Sequence, residues 1–513
     1  MTYYSSKHYP SKSLTTYPRI SLPSRRRLLT TTTTPSATTA VNEIKTDKET
    51  KKKKTKERKK KEPPKPVYWE YLPDILLEDI FSYLSISQRH TASQVCPNWF
   101  RIFSSPNVWR TFVLDDRTLT RRKFNYYLGY QYILDHQRTQ ICLHRVGRAI
   151  RTLIFRPIPN FFNLYEFMSI VTYFCEFFDE NPMCLVKNLH FRFACDSASN
   201  SSEEVFGTGG RLLQALKRLM KNLIGLRYLS LQDLLLDTPE AMFLLDDVVQ
   251  NCSETLRTLR IVNCTKVPYA FMHVGVFLNL KTLIVSPQHL SDDIVILLGH
   301  TKLVDLYILQ VKHTDVATPV SRKTWKECRK ISPKLRVHLV IDGKVKTEVM
   351  WQEGAPIRSI IYKTPYNRIT VQSALTAATM YTNDLECYAF IGIPRFYMPK
   401  PFQERGDSPL VLLCRNCPNI KTLVIRERVS TATVLLMAFY CKNIETFIVR
   451  RNAIIKRCDW PRNPDWTDEF YSWLKTASQS YESTAKEVSS ILGRAWKPIG
   501  DQEFKLYRIN SYL

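Results

Sequence analysis

A short apolar pattern returns along most of this chain. One apolar residue is followed by two variable positions, a second apolar residue, one variable position and a third apolar residue, as in "LRTLRI" at residue 256. Because side chains alternate between the two faces of a strand, each copy predicts one β-strand with a buried face. Ten clear copies and a weaker one at residue 335 begin at residues 150, 186, 226, 256, 280, 303, 335, 357, 385, 420 and 444.

The stretches between these copies carry apolar residues at helical spacing, as in "GGRLLQALKRLM", "AMFLLDDVVQNC" and "SDDIVILLGH". One strand and one helix per unit resemble the leucine-rich repeat, whose usual period is about 20 to 29 residues. Copies here stand 22 residues apart (335 to 357) to 40 apart (186 to 226), so we expect insertions. We predict an irregular α/β solenoid over residues 149–460. The competing interpretation is an ordinary α/β domain in which loose matches arise by chance.

The segment before the repeats predicts three short helices. Pro73 suits the first turn of the first helix, Ser87 suits the cap of the second, and Pro97 either breaks the chain or starts the third. Helices this short bury their apolar stripes poorly, so we expect apolar surface to remain for a partner, although a simple helical cap would give the same periodicity. The stripe of the first helix comprises Leu72, Ile75, Leu76, Ile80, Phe81 and Leu84.

This segment resembles the F-box. The matching positions are Leu72-Pro73, Ile80-Phe81, Leu84, Ala92-Ser93, Val95-Cys96, Trp99 and Trp109. The resemblance implies a three-helix F-box over residues 67–112 that docks on the Skp-type adaptor of a cullin-RING ubiquitin ligase. Many F-boxes have a charged or polar residue where this chain has Pro97, and docking survives if Pro97 starts the third helix. By the same resemblance, the adaptor contacts are Leu72, Pro73, Ile75, Leu76, Ile80 and Phe81.

Regions outside these two modules complete the predicted organisation. Residues 113–148 are expected to form a helical linker. Residues 461–513 are expected to form a helical cap on the open end of the array, with "FKLYRINSYL" as a closing strand, because solenoids need their ends covered. The combination is similar to F-box-only proteins with divergent leucine-rich repeats, in particular the branch that contains F-box only protein 39.

Composition adds a basic tail. The net charge is +27, and residues 1–66 hold 18 Lys and Arg against 5 Asp and Glu, so nearly half of the excess lies there. We expect residues 1–66 to be disordered, since they carry too little apolar area to fold. The lysine block "KETKKKKTKERKKKEPPK" fits a solvated linker, a nuclear-import signal or a phosphate-binding patch. The tail also resembles a mitochondrial transit peptide, but it lacks a clear amphipathic helix.

The chain carries no recognisable catalytic pattern. It lacks G-x-x-x-x-G-K-[ST], G-x-S-x-G, H-E-x-x-H and G-x-G-x-x-G, and we expect no catalytic residue and no cofactor. Cys414 and Cys417 form a C-x-x-C, yet no second pair or nearby His completes a zinc site, so no metal is expected. No apolar run is long enough to span a bilayer, and the cysteines suit a reducing compartment.

Two functions from different classes remain. The first is a substrate receptor in the cytoplasm and nucleus, with a Skp-type adaptor, a cullin and an unidentified protein substrate as partners, and without a membrane or nucleic acid. The second is a basic scaffold or nucleic-acid-binding solenoid without a ligase role. In the first, substrate contacts lie on the concave strand face, where residues between the buried positions point. They are Thr258, Arg260, Thr282, Asp305, Tyr307, Thr422, Arg426 and Arg450.

Overall fold

The protein is described by a computed structural model that covers residue 69 and residues 72–127, 129–177, 181, 183–196, 206–345, 348–507 and 509. The predicted disordered tail, with its lysine block, lies outside these residues. Among the described residues, no helix is both long and apolar enough to cross a bilayer.

Three short helices begin the described part of the chain: α1 (Asp74–Tyr83), α2 (Ile86–Ser93) and α3 (Pro97–Phe103). A 3-10 turn over Pro106–Trp109 follows them. Ser85, and not the predicted Ser87, caps α2, because the Ser85 hydroxyl accepts from the Gln88 N–H while the Gln88 side chain accepts from the Ser85 N–H. Pro97 occupies the first position of α3, so it starts the third helix and does not break the chain.

Strands account for the repeat pattern. Among the described residues, twelve strands form one parallel sheet in chain order, two form an antiparallel hairpin, and two short strands pair with each other. In chain order the strands are β1 (Thr111–Leu114), β2 (Thr120–Asn125), β3 (Gly129–Leu134), β4 (Thr152–Phe155), β5 (Asn188–Arg192), β6 (Tyr228–Gln232), β7 (Thr258–Val262), β8 (Thr282–Val285), β9 (Asp305–Gln310), β10 (Arg336–Asp342), β11 (Ile357–Lys363), β12 (Cys387–Phe390), β13 (Thr422–Ile425), β14 (Val429–Ser430), β15 (Thr446–Val449) and β16 (Ile454–Ile455). The hairpin is β2–β3, and β14 pairs with β16.

Each of the eleven predicted strands is present in the parallel sheet. Their central apolar residues stand side by side across the sheet, as Leu229, Leu259 and Leu283 do on β6, β7 and β8. These side chains are fully buried beneath the helices. The first strand, β1, was not predicted, although Phe112 and Leu114 follow Trp109 at the spacing of the repeat.

The weaker copy at residue 335 has a different phase from the one predicted. The pattern would bury His338 and Val340 under the helices, whereas the structure buries Val337, Leu339 and Ile341 there. A register shift between Val337 and His338, where β10 meets β11, accompanies this change. The pairing of β10 with β9 is regular and places Val337 beside the buried Leu306, so the copy is displaced by one residue from the phase that the pattern gives.

Helices α4 to α13 lie between successive strands, and α14 to α16 follow the last strand. Most of them pack on one face of the sheet, where a single hydrophobic core runs from Leu77 to Val488. The predicted helix over "AMFLLDDVVQNC" is split between two short helices, α7 and α8. The helices are α4 (His136–Val146), α5 (Phe161–Phe177), α6 (Gly210–Asn222), α7 (Thr238–Met242), α8 (Asp246–Cys252), α9 (Asp292–Gly299), α10 (Arg322–Ile331), α11 (Val371–Met380), α12 (Asp407–Asn416), α13 (Thr431–Tyr440), α14 (Asp468–Ala477), α15 (Tyr481–Leu492) and α16 (Asp501–Leu506).

The predicted helical linker over residues 113–148 is wrong in its first part. That part contains the end of β1 and the β2–β3 hairpin, and only α4 is helical as expected. The hairpin exposes much of both of its faces, and β2 has three consecutive basic residues, so its sequence lacks the sustained alternation of apolar and polar residues that predicts a strand. The first repeat strand therefore follows the F-box-like helices without a linker.

The C-terminal region contains helices where a closing strand was predicted. Helices α14 and α15 pack against α13, and α16 includes Phe504 to Leu506, the first three residues of the stretch predicted as a strand. Before α16, Ile499 extends the sheet at its last edge, because its N–H donates to the Val449 carbonyl at 3.0 Å and its carbonyl accepts from the Arg451 N–H at 2.8 Å. The chain then crosses to the face of the sheet opposite the main layer of helices. We call this the helix-free face, because the helices that connect the strands pack on the other side and α16 reaches it only after the last strand. Phe504 of α16 is buried there.

A buried histidine joins neighbouring turns of the array. The Cys264 N–H donates to His289 Nε2 at 3.0 Å, so His289 carries its proton on Nδ1, which donates to the Tyr269 carbonyl at 3.0 Å. Complete burial lowers the pKa of His289 to about 4. The imidazole is thus a neutral structural element that bonds two backbone segments.

Candidate functional site

Helix α1 exposes three large apolar side chains on one side. Ile75 is 73% exposed, Leu76 50% and Ile80 42%, while Leu77 and Phe81 on the same helix are completely buried. The helix therefore contacts the core through one stripe and presents a second apolar stripe to solvent. We call Ile75, Leu76 and Ile80, with Leu72 and Pro73 at the start of the helix, the α1 docking face. Leu72 is half-buried and Pro73 is exposed.

Phe81 does not belong to this face, which corrects the sequence prediction. Its ring is completely buried and meets Trp99 edge-on, with ring centroids 5.8 Å apart. The stripe predicted from three- and four-residue spacing is wider than one helix side, so it combined core residues with surface residues. The other five predicted adaptor contacts all reach the surface, and their role stays a prediction.

Arg89 of α2 holds the C-terminal end of α1 in place. Its Nε donates to the Phe81 carbonyl and one terminal nitrogen donates to the Ser82 carbonyl, each at 2.9 Å. The guanidinium lies over the Trp109 ring, 5.1 Å from its centroid. Burial lowers the pKa of Arg89, but the charge meets the negative end of the α1 dipole. Sequence reasoning missed this residue, because it lies six residues after the end of α1, inside the next helix, where local spacing does not reveal the contact.

Polar contacts fix the other end of α1. Asp74 accepts two hydrogen bonds from the Arg101 guanidinium, at 2.6 and 2.8 Å. These bonds lower the pKa of the Asp74 carboxyl. Glu78 accepts from the Asn107 amide at 2.8 Å and from the Ser105 hydroxyl. The apolar face of α1 is therefore oriented by the contacts of Asp74 and Glu78 at its borders.

Further apolar side chains are exposed close to α1 in sequence. Tyr83 is 89% exposed, Val95 64% and Phe100 55%. Trp69, which precedes the helix, is also exposed, and the Trp99 indole N–H donates to its carbonyl. A concentration of exposed apolar residues on so small a helical unit is typical of a protein-binding surface.

The helix-free face of the sheet contains a second apolar cluster, which is covered. Its members lie on strands from β7 to β13 and in the following turns, and Phe504 of α16 packs among them. We call this set the helix-free cluster. It comprises Val262, Ile284, Tyr307, Leu309, Val311, Val340, Ile361, Cys387, Ala389, Ile391, Val424 and Phe504.

The eight predicted substrate residues divide by their burial. Four are half-buried at the helix-free face: Thr258, Arg260, Thr422 and Arg450. The other four are buried and have no free surface for a partner in this conformation: Thr282, Asp305, Tyr307 and Arg426. The assumption that outward-facing strand residues are solvent-exposed is wrong for these four. Asp305 and Tyr307 pack against residues of the neighbouring strand β10, and Arg426 against the turns at Ile391 and Asn367.

Asp305 and Tyr307 belong to a polar network across β9 and β10. The Asp305 carboxylate accepts from Arg336 at 2.8 and 2.9 Å and pairs with His338 Nε2 at 3.2 Å. Burial alone would raise the pKa of Asp305, but the hydrogen bonds from His338 and Arg336 outweigh it and lower the pKa. Tyr307 stacks on the His338 ring, with centroids 4.4 Å apart. These residues fix neighbouring strands.

The two arginines near the end of the array are also structural. Arg426 donates to the Ile391 carbonyl at 2.9 Å and to the Asn367 carbonyl, and its pKa is lowered by burial. Arg450 donates to both oxygens of Asp501 in α16, at 2.7 and 2.9 Å. Arg450 therefore attaches the C-terminal segment to the sheet. In contrast, Arg260 is half-buried, and no described residue bonds its Nε.

Among the described residues, two cysteine-containing groups bear on metal binding. Cys414 and Cys417 are buried, and burial raises the pKa of the Cys417 thiol to about 12. The ligand atoms of Cys195, Asp196 and His313 lie within 4.8 Å of one another. Asp196 Oδ1 lies 3.2 Å from His313 Nε2 and 2.8 Å from the Lys312 ammonium. The Asp196 carboxylate is therefore already paired with a positive charge.

Comparison with known proteins agrees with this geometry. Residues 69–115 match the F-box-like family model, a range that includes helices α1 to α3 and extends through β1. The chain is 22% identical over 447 residues to F-box/LRR-repeat protein 21 of Mus musculus, covering 84% of this chain and 89% of that protein. The protein of the same name from Bos taurus is 22% identical over 444 residues, with the same coverage. The narrower resemblance to the branch of F-box only protein 39 stays a prediction.

Proposed function

Because the chain is an F-box protein with leucine-rich repeats, we propose that it is the substrate-recognition subunit of an SCF-type cullin-RING ubiquitin ligase. The α1 docking face binds a Skp-type adaptor, which connects the chain to the cullin. The repeats bind the protein to be ubiquitinated, and other subunits carry out ubiquitin transfer. The observation that carries the proposal is the exposure of Ile75, Leu76 and Ile80 within the F-box-like segment.

The docking face supplies one apolar part of an adaptor contact, to which the other exposed apolar residues near α1 add. Complete burial of one large aliphatic side chain contributes about 1.5 to 3 kcal/mol, so three half-exposed ones contribute about 3 to 5 kcal/mol together. Asp74 and Glu78 at its borders are already hydrogen-bonded within the chain, so a partner need not satisfy them. An apolar centre with a polar rim is the usual composition of a specific protein interface.

The fold supports a role through proximity. Trp109 and Phe112 lie in the same hydrophobic core as the repeats, and the Phe112 ring stacks on Phe167 of α5 with centroids 5.9 Å apart. The Arg110 carbonyl accepts from the backbone N–H groups of Arg151 and Thr152, at 2.8 and 2.9 Å. A substrate held on the repeats would therefore keep a fixed direction relative to the adaptor, which raises its effective concentration near the ubiquitin-charged enzyme.

The proposal is tested by measuring adaptor binding to the full chain. We expect Ile75→Asp with Ile80→Asp to weaken binding of a purified Skp-type adaptor by more than a hundredfold, because two charges would have to enter an apolar interface. Leu72→Ala with Pro73→Ala should also reduce the yield of adaptor on co-precipitation. Ile224→Asp is the matched control, since Ile224 is 61% exposed but lies on the repeats. Unchanged adaptor affinity in the double Asp variant, with the fold intact, would contradict the proposal.

We place this activity in the cytoplasm and nucleus. The support is the basic block between Lys51 and Lys61, which fits a nuclear-import signal. Deletion of Lys51 to Lys61 from a tagged chain should reduce the nuclear signal, while adaptor binding stays at the wild-type level. A nuclear signal that persists without the block would remove the import interpretation and leave adaptor docking untouched.

A further inference from the structure

The β2–β3 hairpin concentrates exposed aromatic and basic side chains. Residues 117–132 contain four Lys or Arg residues, five aromatic residues and no acidic residue. Tyr126 and Tyr127 at the tip are 87% and 91% exposed. Neither strand joins the large sheet, so the hairpin projects these residues without a covering element among the described residues. An exposed aromatic surface of this density is typical of an interaction site.

The strand register divides these residues between two faces. Arg122 pairs with Tyr132 and Phe124 pairs with Tyr130, and since both pairs are two residues apart along the strand they share one face. Lys123 and Arg121 lie on the opposite face, paired with Gln131 and Ile133. One face is therefore aromatic with an embedded arginine, and the other is basic.

The cations of the hairpin remain unneutralised. The Arg122 guanidinium lies over Tyr130 at 3.9 Å from the ring centroid, and that of Arg117 lies over Tyr132 at 5.2 Å. Among the described residues, no carboxylate forms an ion pair with either of them or with Arg121 or Lys123. Stacking on a ring fixes the guanidinium plane but leaves its N–H groups available to an acceptor.

The base of the hairpin is attached to α5. The Leu134 side chain is buried, and the Leu134 N–H donates to Asn163 Oδ1 at 2.8 Å. The Asn163 amide donates in turn to the Tyr132 carbonyl at 2.9 Å. An isolated two-stranded hairpin is marginally stable in water, so this attachment holds the surface in one conformation and reduces the entropy lost on binding.

We propose that the β2–β3 hairpin docks an acidic segment of a protein partner. Charge complementarity carries the proposal: the guanidinium groups offer paired donors that match carboxylates, and Tyr and Arg are the residues that contribute most to protein interfaces. Base stacking is disfavoured on the strands, because Arg122 occupies one face of Tyr130 and Arg117 one face of Tyr132. At the tip, Tyr126 and Tyr127 contact each other edge-on. A second copy of the chain is also disfavoured as the partner, because two basic hairpins would repel each other. The proposal does not depend on adaptor docking.

The test uses the full chain without adaptor and a fluorescent peptide in which Glu and Val alternate. A Lys-Val peptide, a Glu-Ser peptide and single-stranded oligo-dT are the comparison probes. We expect the Glu-Val peptide to bind at least tenfold more tightly than the other three, with affinity falling as salt is raised. A triple variant, Arg121→Glu with Arg122→Glu and Lys123→Glu, should lose this binding.

The matched control carries the same charge change on α10, as Lys323→Glu with Lys326→Glu and Lys330→Glu, all of which are exposed. It should bind the Glu-Val peptide as the wild type does. Tyr126→Ser with Tyr127→Ser keeps the charge and should weaken binding severalfold. Equal loss in both triple variants would show that only overall charge matters and would overturn the proposal. Preferred binding of oligo-dT, or dimerisation through the hairpin, would also overturn it.

Discussion

The α1 docking face and the helix-free cluster are both apolar, but only one is covered. Ile75 and Ile80 on α1 face solvent, whereas Ile284 and Ile361 lie beneath other parts of the chain, with Phe504 packed among the cluster residues. Within the part of the chain that the structure describes, one apolar surface is thus covered and the other is not. Covered apolar area stabilises the fold, while uncovered area of the same chemistry is available to a partner.

The same substitution on the two surfaces should separate them most strongly. We expect Phe504→Asp to cost about 4 kcal/mol of docking free energy for the C-terminal segment, because a charge replaces a fully buried ring. Protease cleavage near α16 and loss of hydrogen-exchange protection there would measure the change. Ile80→Asp should alter the free energy of unfolding by less than about 1 kcal/mol. Equal protection of α16 in wild type and Phe504→Asp would contradict the covering role of Phe504.

Within α1, neighbouring positions should behave differently. Phe81→Ala should cost about 3 to 4 kcal/mol, since it opens a cavity against Trp99. Ile75→Ala should change stability by no more than about 0.5 kcal/mol, because Ile75 is exposed. Hydrogen exchange of α1 and α3 measures both variants. If Ile75→Ala destabilised α1 as much as Phe81→Ala does, the docking face would be part of the core.

Acid should weaken the array through His289. Its pKa is about 4 in the folded chain and 6.5 as the ordinary value, so the unfolded chain binds the proton first. Stability present above pH 6.5 is therefore lost as the pH falls towards 4, by about 3 kcal/mol. His289→Gln should flatten this decline when unfolding is measured at several pH values. An unchanged acid slope in His289→Gln would assign the decline to other groups.

The smallest effect is expected at the edge of the covered surface. Asp501→Asn should loosen the C-terminal segment by about 1 kcal/mol, since it weakens the paired hydrogen bonds from Arg450 at a partly exposed site. Hydrogen exchange across α16 would detect it. Asp468→Asn, at an exposed ion pair with Arg462, is the control and should leave exchange in α16 unchanged.

Local pattern predicted most of the strands and little of what covers them. Strands such as β7 and β8 were predictable because Leu259 and Leu283 occupy a spacing that only one strand face can bury. The burial of Tyr307 depends on His338 of the next strand, and that of Arg426 on the carbonyls of Ile391 and Asn367, and local periodicity contains neither contact. The hairpin carried no sustained alternation, and β1 has the repeat spacing but lies within the segment assigned to the helices.

The strand that follows the F-box helices limits how this protein can be re-engineered. The Trp109 indole N–H donates to the Phe103 carbonyl at 2.6 Å, and three residues further on Phe112 stacks on α5. A chimera that joins residues 69–110 to a foreign repeat array would lose Phe112 and its contact with Phe167 of α5, while keeping Trp109 and its contact with Phe103. The F-box of this chain therefore cannot be exchanged on its own, and the smallest segment that keeps these contacts extends through α5.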